Sequence, residues 1–220
     1  MDVDTTNKGR IAIWDNVKFI LILLVVIGHF ADYYTKEYAN MKSLFFYIYL
    51  FHMPAFIFLS GLFSKNVIAE RRYSKVLGCF SVYVVMKALF FLTTRYLNNS
   101  GTFRLFTENG VPWFIFAIGV FYLLTTLLQR IEKHYVLFFS VVLACFAGYD
   151  KSVGDLLVVS RIIAFYPFFY IGFLLQPDEV LNVLKKKWVK VASCILLLLT
   201  ACICVVYLDK VYWIRPLITG

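Results

Sequence analysis

The sequence predicts an all-α integral membrane protein, a polytopic bundle of about seven transmembrane helices. Apolar residues make up 61% of the chain, and the mean hydropathy is +0.77. In soluble domains the apolar share is about half. The chain also contains 23 Phe and 15 Tyr, which is typical of the aromatic belts at membrane interfaces. Its basic residues stand in short runs between apolar segments, as expected of loops that set membrane topology.

Seven apolar segments are predicted to span the membrane, and together they form one domain over residues 1–220. Each is about 17–22 residues long, which matches a hydrocarbon core of about 30 Å. The predicted segments are 17–34, 43–64, 74–92, 112–129, 134–149, 158–175 and 188–208. No internal repeat or soluble domain interrupts them. The five cysteines fall within these segments without the spacing of a metal site, so no metal is expected.

The distribution of Lys and Arg predicts a cytoplasmic N-terminus in a multi-pass plasma-membrane protein. Both dense basic clusters, in the loops 65–75 and 176–190, then lie on the cytoplasmic side, as the positive-inside rule requires. The formal charge of +9 is therefore explained by membrane topology. The expected partner is a lipid bilayer and not nucleic acid. Seven spans place the C-terminus outside, directly after an outward-facing segment. We expect a chain that is incomplete at its C-terminus.

The first apolar segment contains the candidate catalytic site. Asp15 and Lys18 lie at its start and His29 near its outer end. Because Lys18 and His29 are eleven residues apart, they share one helix face and lie about 16 Å apart along the axis. Ionisable groups inside a membrane segment are costly and often mark function. The alternative is that Lys18 extends to the interface and that His29 lies among the opposite headgroups.

Three charged residues accompany this pair. Asp32 lies one turn beyond His29, where it either orients the imidazole or is a solvated loop charge. Arg71 and Arg72 lie in the loop after the second segment, on the same predicted side as Lys18. A basic pair in such a loop usually anchors the topology, but beside Lys18 it can form a clamp for phosphates.

Four further residues are candidates for lining a polar interior. His52 lies near the middle of the second segment, two residues before a proline. Either it faces the same interior as the first histidine, or it bonds the backbone carbonyl that the proline leaves without a donor. Lys87 and Arg161 are charges within the third and sixth segments, and they either line the interior or extend outward. Trp113 opens the fourth segment, where a place in the aromatic belt is the alternative.

Two motifs in the first two segments resemble membrane acyltransferase family 3, and in particular its fucose 4-O-acetylase-like branch. The first motif is a basic residue, ten intervening residues and a histidine, matched by Lys18 and His29. The second is an FHMP-then-SG pattern, matched by Phe51–Pro54 and Ser60-Gly61. The resemblance covers essentially the whole chain, although family members commonly have further helices and an Arg-any-Arg loop pattern where this chain has adjacent arginines. Later segments that are similar to the family are Trp113-Phe114 and Tyr166–Gly172.

The resemblance implies an integral membrane O-acyltransferase that moves an acyl group, commonly acetyl, from acetyl-CoA to a hydroxyl. The implied acceptor is an extracytoplasmic carbohydrate, either at the cell surface or linked to a lipid. In this hypothesis His29 is the general base and Asp32 orients it. The phosphates of the donor lie against the inner cations, which are Lys18 with its neighbour Asp15, Arg71 and Arg72.

Two other classes of protein remain open. A transporter or channel would line its path with the polar residues inside the spans, and internal repeats would favour it. These residues are His29, His52, Lys87 and Arg161. The second class is a membrane partner without catalytic activity, if the chain lacks helices that activity needs. Detectable hydrolysis of a CoA ester separates an enzyme from both classes.

Overall fold

The all-α class predicted from the sequence is confirmed. A computed structural model of the chain describes residues 3–98, 112–149 and 159–206. Within these ranges it contains nine α-helices, one 3₁₀ turn at Leu128–Arg130 and no strand. The α-helices are α1 Val3–Tyr33, α2 Ala39–Leu62, α3 Lys65–Ala69, α4 Tyr73–Asn98, α5 Trp113–Leu127, α6 Lys133–Tyr149, α7 Val159–Leu174, α8 Pro177–Lys185 and α9 Lys187–Val206.

Each of the seven predicted spans coincides with one of these helices, but the ends differ. α1 begins at Val3, well before the predicted start at residue 17. α4 continues past the predicted end at residue 92, and within it the hydroxyls of Thr93 and Thr94 donate to carbonyls of the preceding turn at 2.8–3.0 Å. These hydroxyls are satisfied inside the helix and do not end it. The short helices α3 and α8 lie in loops for which no helix was predicted.

Within the part of the chain that the structure describes, five helices are long and apolar enough to cross a bilayer by themselves. Their apolar parts are Ala12–Tyr33, Asn40–Leu62, Tyr73–Leu97, Trp113–Arg130 and Lys187–Val206. α7 passes the same test only together with α8, and a bend of 92° separates the two helices. The apolar part of α6, Lys133–Ala147, is shorter. A multi-pass membrane protein is therefore supported, while the count of seven spans stays a prediction.

The bend between α7 and α8 follows from the local sequence. Pro177 is the first residue of α8, a position where its missing N–H and fixed φ are tolerated. The backbone N–H of Gln176 donates to the Glu179 carboxylate at 2.9 Å, which satisfies a donor at the new helix start. A new helix therefore begins at Pro177 and leaves the direction of α7.

The chain divides into two compact units, and α2 contributes to both. Among the described residues, the first unit contains residues 3–56 and 181–206, and the second contains residues 57–98, 112–149 and 159–180. A single domain stays a prediction.

In the first unit, α1 packs against the first part of α2. Gly28 faces α2, where a Cβ atom would lie 3.2 Å from the Tyr49 ring and 3.5 Å from the Ile48 side chain. Leu21, Ala31 and Ile48 are buried. α9 has a different surface: most of its apolar side chains are exposed, and Cys204 is its buried residue. An apolar helix with so little buried surface is suited to contact with lipid.

In the second unit, α7 packs on α5, on α6 and on the end of α2. A Cβ atom at Gly61 would collide with the carbonyl oxygen of Phe169, and one at Gly172 would collide with the carbonyl oxygen of Phe58. The same Gly172 Cβ would lie 2.9 Å from the Leu62 nitrogen. The two backbones are therefore in direct contact, as is common where small residues lie between membrane helices. This contact explains the SG pattern and the glycine of the YIG segment.

Aromatic side chains fill the rest of this second unit. Phe121 of α5 is fully buried, with its ring centroid 5.3 Å from Phe169 and 5.6 Å from Tyr166 of α7. The Thr125 hydroxyl and the Tyr166 hydroxyl are hydrogen-bonded at 3.2 Å. Both polar groups are thus paired across the α5–α7 contact, which avoids the cost of an unpaired buried hydroxyl.

Candidate active site

The predicted first-helix pair lies on one continuous helix. α1 is unbroken from Val3 to Tyr33, so Lys18 and His29 have the separation of about 16 Å that an ideal helix gives. The Lys18 Nζ atom lies 3.3 Å from the Asp15 carboxylate. Both side chains are partly exposed, at 45% and 62%. The structure therefore brings Asp15 and Lys18 together, and their role in donor binding stays a prediction.

His29 lies next to the Tyr49 ring of α2. The two ring centroids are 6.4 Å apart and the rings are almost perpendicular, at 88°. The His29 side chain is exposed. Gly28 has no side chain in the space beside Tyr49, so the ring approaches α1 directly next to the histidine. The imidazole therefore has an aromatic neighbour on one side and open surface on another.

His52 is the opposite of His29 in its surroundings. Its side chain is only 1% exposed, and its Nδ1 lies 2.8 Å from the carbonyl oxygen of Ile48. Because a carbonyl can only accept, Nδ1 carries the proton and Nε2 of the neutral ring is an acceptor. One of the two roles considered for His52 was a bond to the carbonyl freed by Pro54, which is that of Leu50. The observed bond goes instead to Ile48, four residues before His52.

Tyr49 contacts both imidazoles, and the sequence analysis did not identify it. Its ring centroid lies 4.7 Å from that of His52, in an edge-to-face arrangement, in addition to its contact with His29. The signal was available, since Tyr49 stands three residues before His52 and so shares its face of α2. The structure thus brings together His29, Tyr49 and His52 in the first unit.

Asp32 is not hydrogen-bonded to His29. Its carboxylate is exposed at the end of α1, and its backbone carbonyl accepts the Thr35 hydroxyl at 2.8 Å. Among the described residues, no hydrogen bond links the Asp32 side chain to the imidazole. The solvated charge that the sequence analysis kept as an alternative agrees with this geometry, and the orienting role stays a prediction.

Arg71 and Arg72 lie in the turn between α3 and α4. Arg71 has a φ of 45°, the left-handed conformation that is uncommon for residues other than glycine. The Arg72 guanidinium pairs with Glu70. Both arginines are exposed. Part of the Arg72 charge is thus compensated by a carboxylate, which leaves Arg71 as the stronger candidate for binding an anion.

Lys65, the first residue of α3, is another cation that the sequence analysis used only for topology. Burial lowers its pKa, while the charge of Glu179 raises that pKa and the charge of Lys133 lowers it. These three residues of the second unit are therefore close enough to interact electrostatically. α3 is tied to the 3₁₀ turn by Gln129, whose side-chain amide donates to the Ile68 carbonyl at 3.4 Å.

The three remaining predicted residues are found on aromatic rings of the second unit. Lys87 is only 6% exposed, and its Nζ lies 5.8 Å from the centroid of the Tyr83 ring on the same helix. The Arg161 guanidinium lies 4.9 Å from the centroid of Trp113, which in turn stacks on Phe165 at 5.8 Å. Aromatic faces attract cations within a membrane, so each charge has a local explanation. The structure brings Arg161 and Trp113 together, which the sequence did not predict.

The fold and these residues define the class of protein. The chain is a multi-pass helical membrane protein with an accessible imidazole and a cation on one face of its first helix. Among its described residues, no group of three or more His, Cys, Asp or Glu is arranged to hold a metal ion.

The comparisons with known proteins give the family. The profile described as "Acyltransferase domain" (Acyl_transf_3) matches residues 11–220, and the chain belongs to this family. It is 29% identical over 219 residues to the nodulation protein NolL of Mesorhizobium japonicum, with 90% of this chain and 56% of that protein covered. It is 26% identical over 217 residues to the nodulation protein NolL of Sinorhizobium fredii, with 90% and 57% covered. The chain thus spans a little over half the length of these relatives, and no solved structure matches it.

Proposed function

We propose that the chain carries the donor and base residues of an integral membrane O-acyltransferase. It moves an acyl group, most simply acetyl, from acyl-CoA to a hydroxyl of an extracytoplasmic carbohydrate or lipid-linked sugar. The observation that carries the proposal is the continuous α1 helix, with its Asp15–Lys18 pair and an accessible His29, inside an acyltransferase domain. The N-terminus is cytoplasmic, so the cation end of α1 faces the compartment that supplies CoA thioesters.

The proposed chemical step is general base catalysis at His29. The imidazole accepts the proton of the acceptor hydroxyl while the hydroxyl oxygen attacks the thioester carbonyl. The tetrahedral intermediate collapses, the C–S bond breaks, and the CoA thiolate leaves and takes up the proton. Histidine is the side chain most often used in this role, and its exposed position allows a hydroxyl to reach it.

The proposed donor site lies at the other end of α1. The Lys18 ammonium, held by Asp15, is a point charge suited to a phosphate group. The distance of about 16 Å to His29 is of the order that the extended pantetheine arm of CoA spans. Arg71 and Arg72 of the second unit stay candidate phosphate-binding residues on the strength of the sequence, and Glu70 compensates part of the Arg72 charge.

The test is transfer of labelled acetyl from acetyl-CoA to an oligosaccharide acceptor by the purified protein in lipid vesicles. His29→Ala is expected to lower the transfer rate by about 10²–10⁴-fold, which is the usual contribution of a general base. His134→Ala is the matched control, because His134 is an exposed histidine whose ring lies against that of the adjacent Tyr135. Absence of transfer in the wild type, or equal rates in both variants, would refute the proposal.

A further inference from the structure

Tyr49 lies against both imidazoles of the first unit, and nothing in the motifs assigns it a role. Its ring centroid is 6.4 Å from that of His29 and 4.7 Å from that of His52. We propose that Tyr49 is a positioning residue that holds the His29 imidazole in its productive orientation, with the buried His52 fixing Tyr49 from the other side. This inference rests on the proposed function of His29.

The Tyr49 ring is itself held by neighbours on its own helix. Phe45, one turn before it, is buried and lies 4.2 Å away between ring centroids. His52 follows within one turn, and its Nδ1 bond to the Ile48 carbonyl at 2.8 Å limits rotation of its own ring. Three successive rings on one face of α2 thus fix one another, with the most buried of them bonded to the backbone.

His29 has no comparable restraint of its own. Its side chain is exposed, and among the described residues no hydrogen bond to its ring holds it in place. Among the described residues, the ring contact that can limit its orientation is the edge-to-face contact with Tyr49. A base must point at the reacting hydroxyl, and misplacement by about 1 Å can cost about 100-fold in rate. A rigid ring beside the exposed imidazole supplies this restraint.

Gly28 allows the ring to come this close. A Cβ atom at position 28 would lie 3.2 Å from Cε2 of Tyr49, which is tighter than nine in ten real Cβ contacts. The substitution Gly28→Ala therefore pushes the same ring from the opposite helix. The structure thus offers two independent ways to disturb one contact: shortening the side chain of Tyr49, or adding a methyl group at Gly28.

The experiment compares Tyr49→Leu and Gly28→Ala with Tyr49→Phe and Tyr47→Leu. Tyr49→Leu and Gly28→Ala are expected to lower kcat for acetyl transfer by about 10–100-fold with little change in the KM for the donor. Tyr49→Phe keeps the ring and is expected to recover most of the kcat that Tyr49→Leu loses. Tyr47→Leu is the matched control, because the Tyr47 ring lies on the same helix and contacts Phe51 at 5.4 Å.

A second readout does not depend on acyl transfer. The rate at which diethyl pyrocarbonate modifies His29, followed by mass spectrometry, reports how the imidazole is shielded. We expect this rate to rise several-fold in Tyr49→Leu and to stay near the wild-type value in Tyr47→Leu. Unchanged kcat and unchanged modification in both Tyr49→Leu and Gly28→Ala would overturn the inference. A wild type without acyl transfer but with faster His29 modification in Tyr49→Leu would refute the proposed function and leave the positioning role standing.

Discussion

The two parts of α2 use glycine contacts in different ways. In the first unit, Gly28 of α1 faces the side chain of Tyr49, a ring that can shift by rotation. In the second unit, Gly61 faces the backbone carbonyl of Phe169, which cannot move without its helix. The first contact makes room beside a candidate base, and the second fixes one helix against another. The difference shows that one contact can adjust by a side-chain movement, whereas the other can change only if a helix backbone moves.

The largest effect should come from the two histidines of the first unit. His29→Ala is expected to lower transfer by about 10²–10⁴-fold while changing the free energy of unfolding by no more than about 0.5 kcal/mol, because the side chain is exposed. His52→Ala should instead lose about 1–3 kcal/mol of stability, since it removes a buried ring and its bond to Ile48. Thermal unfolding and transfer rates at equal amounts of folded protein measure both. Substantial activity in a well-folded His29→Ala protein would contradict the assignment of catalysis to His29 and of stability to His52.

Alanine substitutions at the glycines test the other half of the comparison. Gly61→Ala and Gly172→Ala should each cost about 1–3 kcal/mol or more, because the new methyl group meets backbone atoms. Gly78→Ala is the control, since a Cβ there has no atom within 4 Å, and alanine should stabilise helix α4 by up to about 1 kcal/mol. Denaturation midpoints in detergent compare the three variants. Equal stability of Gly61→Ala and Gly78→Ala would show that α2 and α7 do not depend on their backbone contact.

The donor site is expected to show a smaller effect. Arg71→Gly removes the guanidinium while keeping a residue that adopts the φ of 45° without strain. Losing one charge-assisted contact costs roughly 1.5–3 kcal/mol, so acyl-CoA should bind about tenfold more weakly or worse. Arg95→Gln, in the last turn of α4, is the charge-matched control. Equal acyl-CoA affinity of the two variants, measured by calorimetry, would mean that Arg71 contributes to membrane topology and not to donor binding.

The smallest effect is expected from the hydroxyl pair of the second unit. Tyr166→Phe and Thr125→Val each remove one partner of the 3.2 Å bond between α5 and α7. A double-mutant cycle on unfolding should give a coupling energy of about 0.6 kcal/mol, the average for such bonds between membrane helices. Acyl transfer by each variant should stay near the wild-type rate. A coupling energy near zero would mean that packing alone holds this contact.

The fold could be predicted from the sequence where the length of an apolar run determines the structure. All seven predicted spans coincide with helices, because a long apolar run has few alternatives to a helix in a membrane. The helix ends were harder to predict, since the polar threonines after residue 92 lie inside α4, where their hydroxyls donate to carbonyls of the preceding turn. The helix α8 was missed because it is short and mixes charged with apolar residues, and the bond from the Gln176 N–H to Glu179 at its start is not visible in the sequence.

The candidate site could be predicted only as far as residue spacing along one helix indicates it. Lys18 and His29 were paired by their separation in the sequence, which one continuous helix preserves. The contact of Tyr49 with His29 joins two helices, and no regular spacing encodes it. The partners of Lys87 and Arg161 differ in the same way: Tyr83 lies one turn away on the same helix, whereas Trp113 lies on another helix.

The backbone contact of Gly61 with α7 also has a consequence for the order of assembly. Gly61 and its partner segment are separated by about 110 residues, and synthesis at about 5–20 residues per second takes roughly 5–20 s to cover that length. The contact of Gly28 with Tyr49 joins residues only about 20 positions apart, so both partners exist within a few seconds of each other. During membrane insertion the rings around the candidate base therefore have time to make contact before α7, the packing partner of the end of α2, is synthesised.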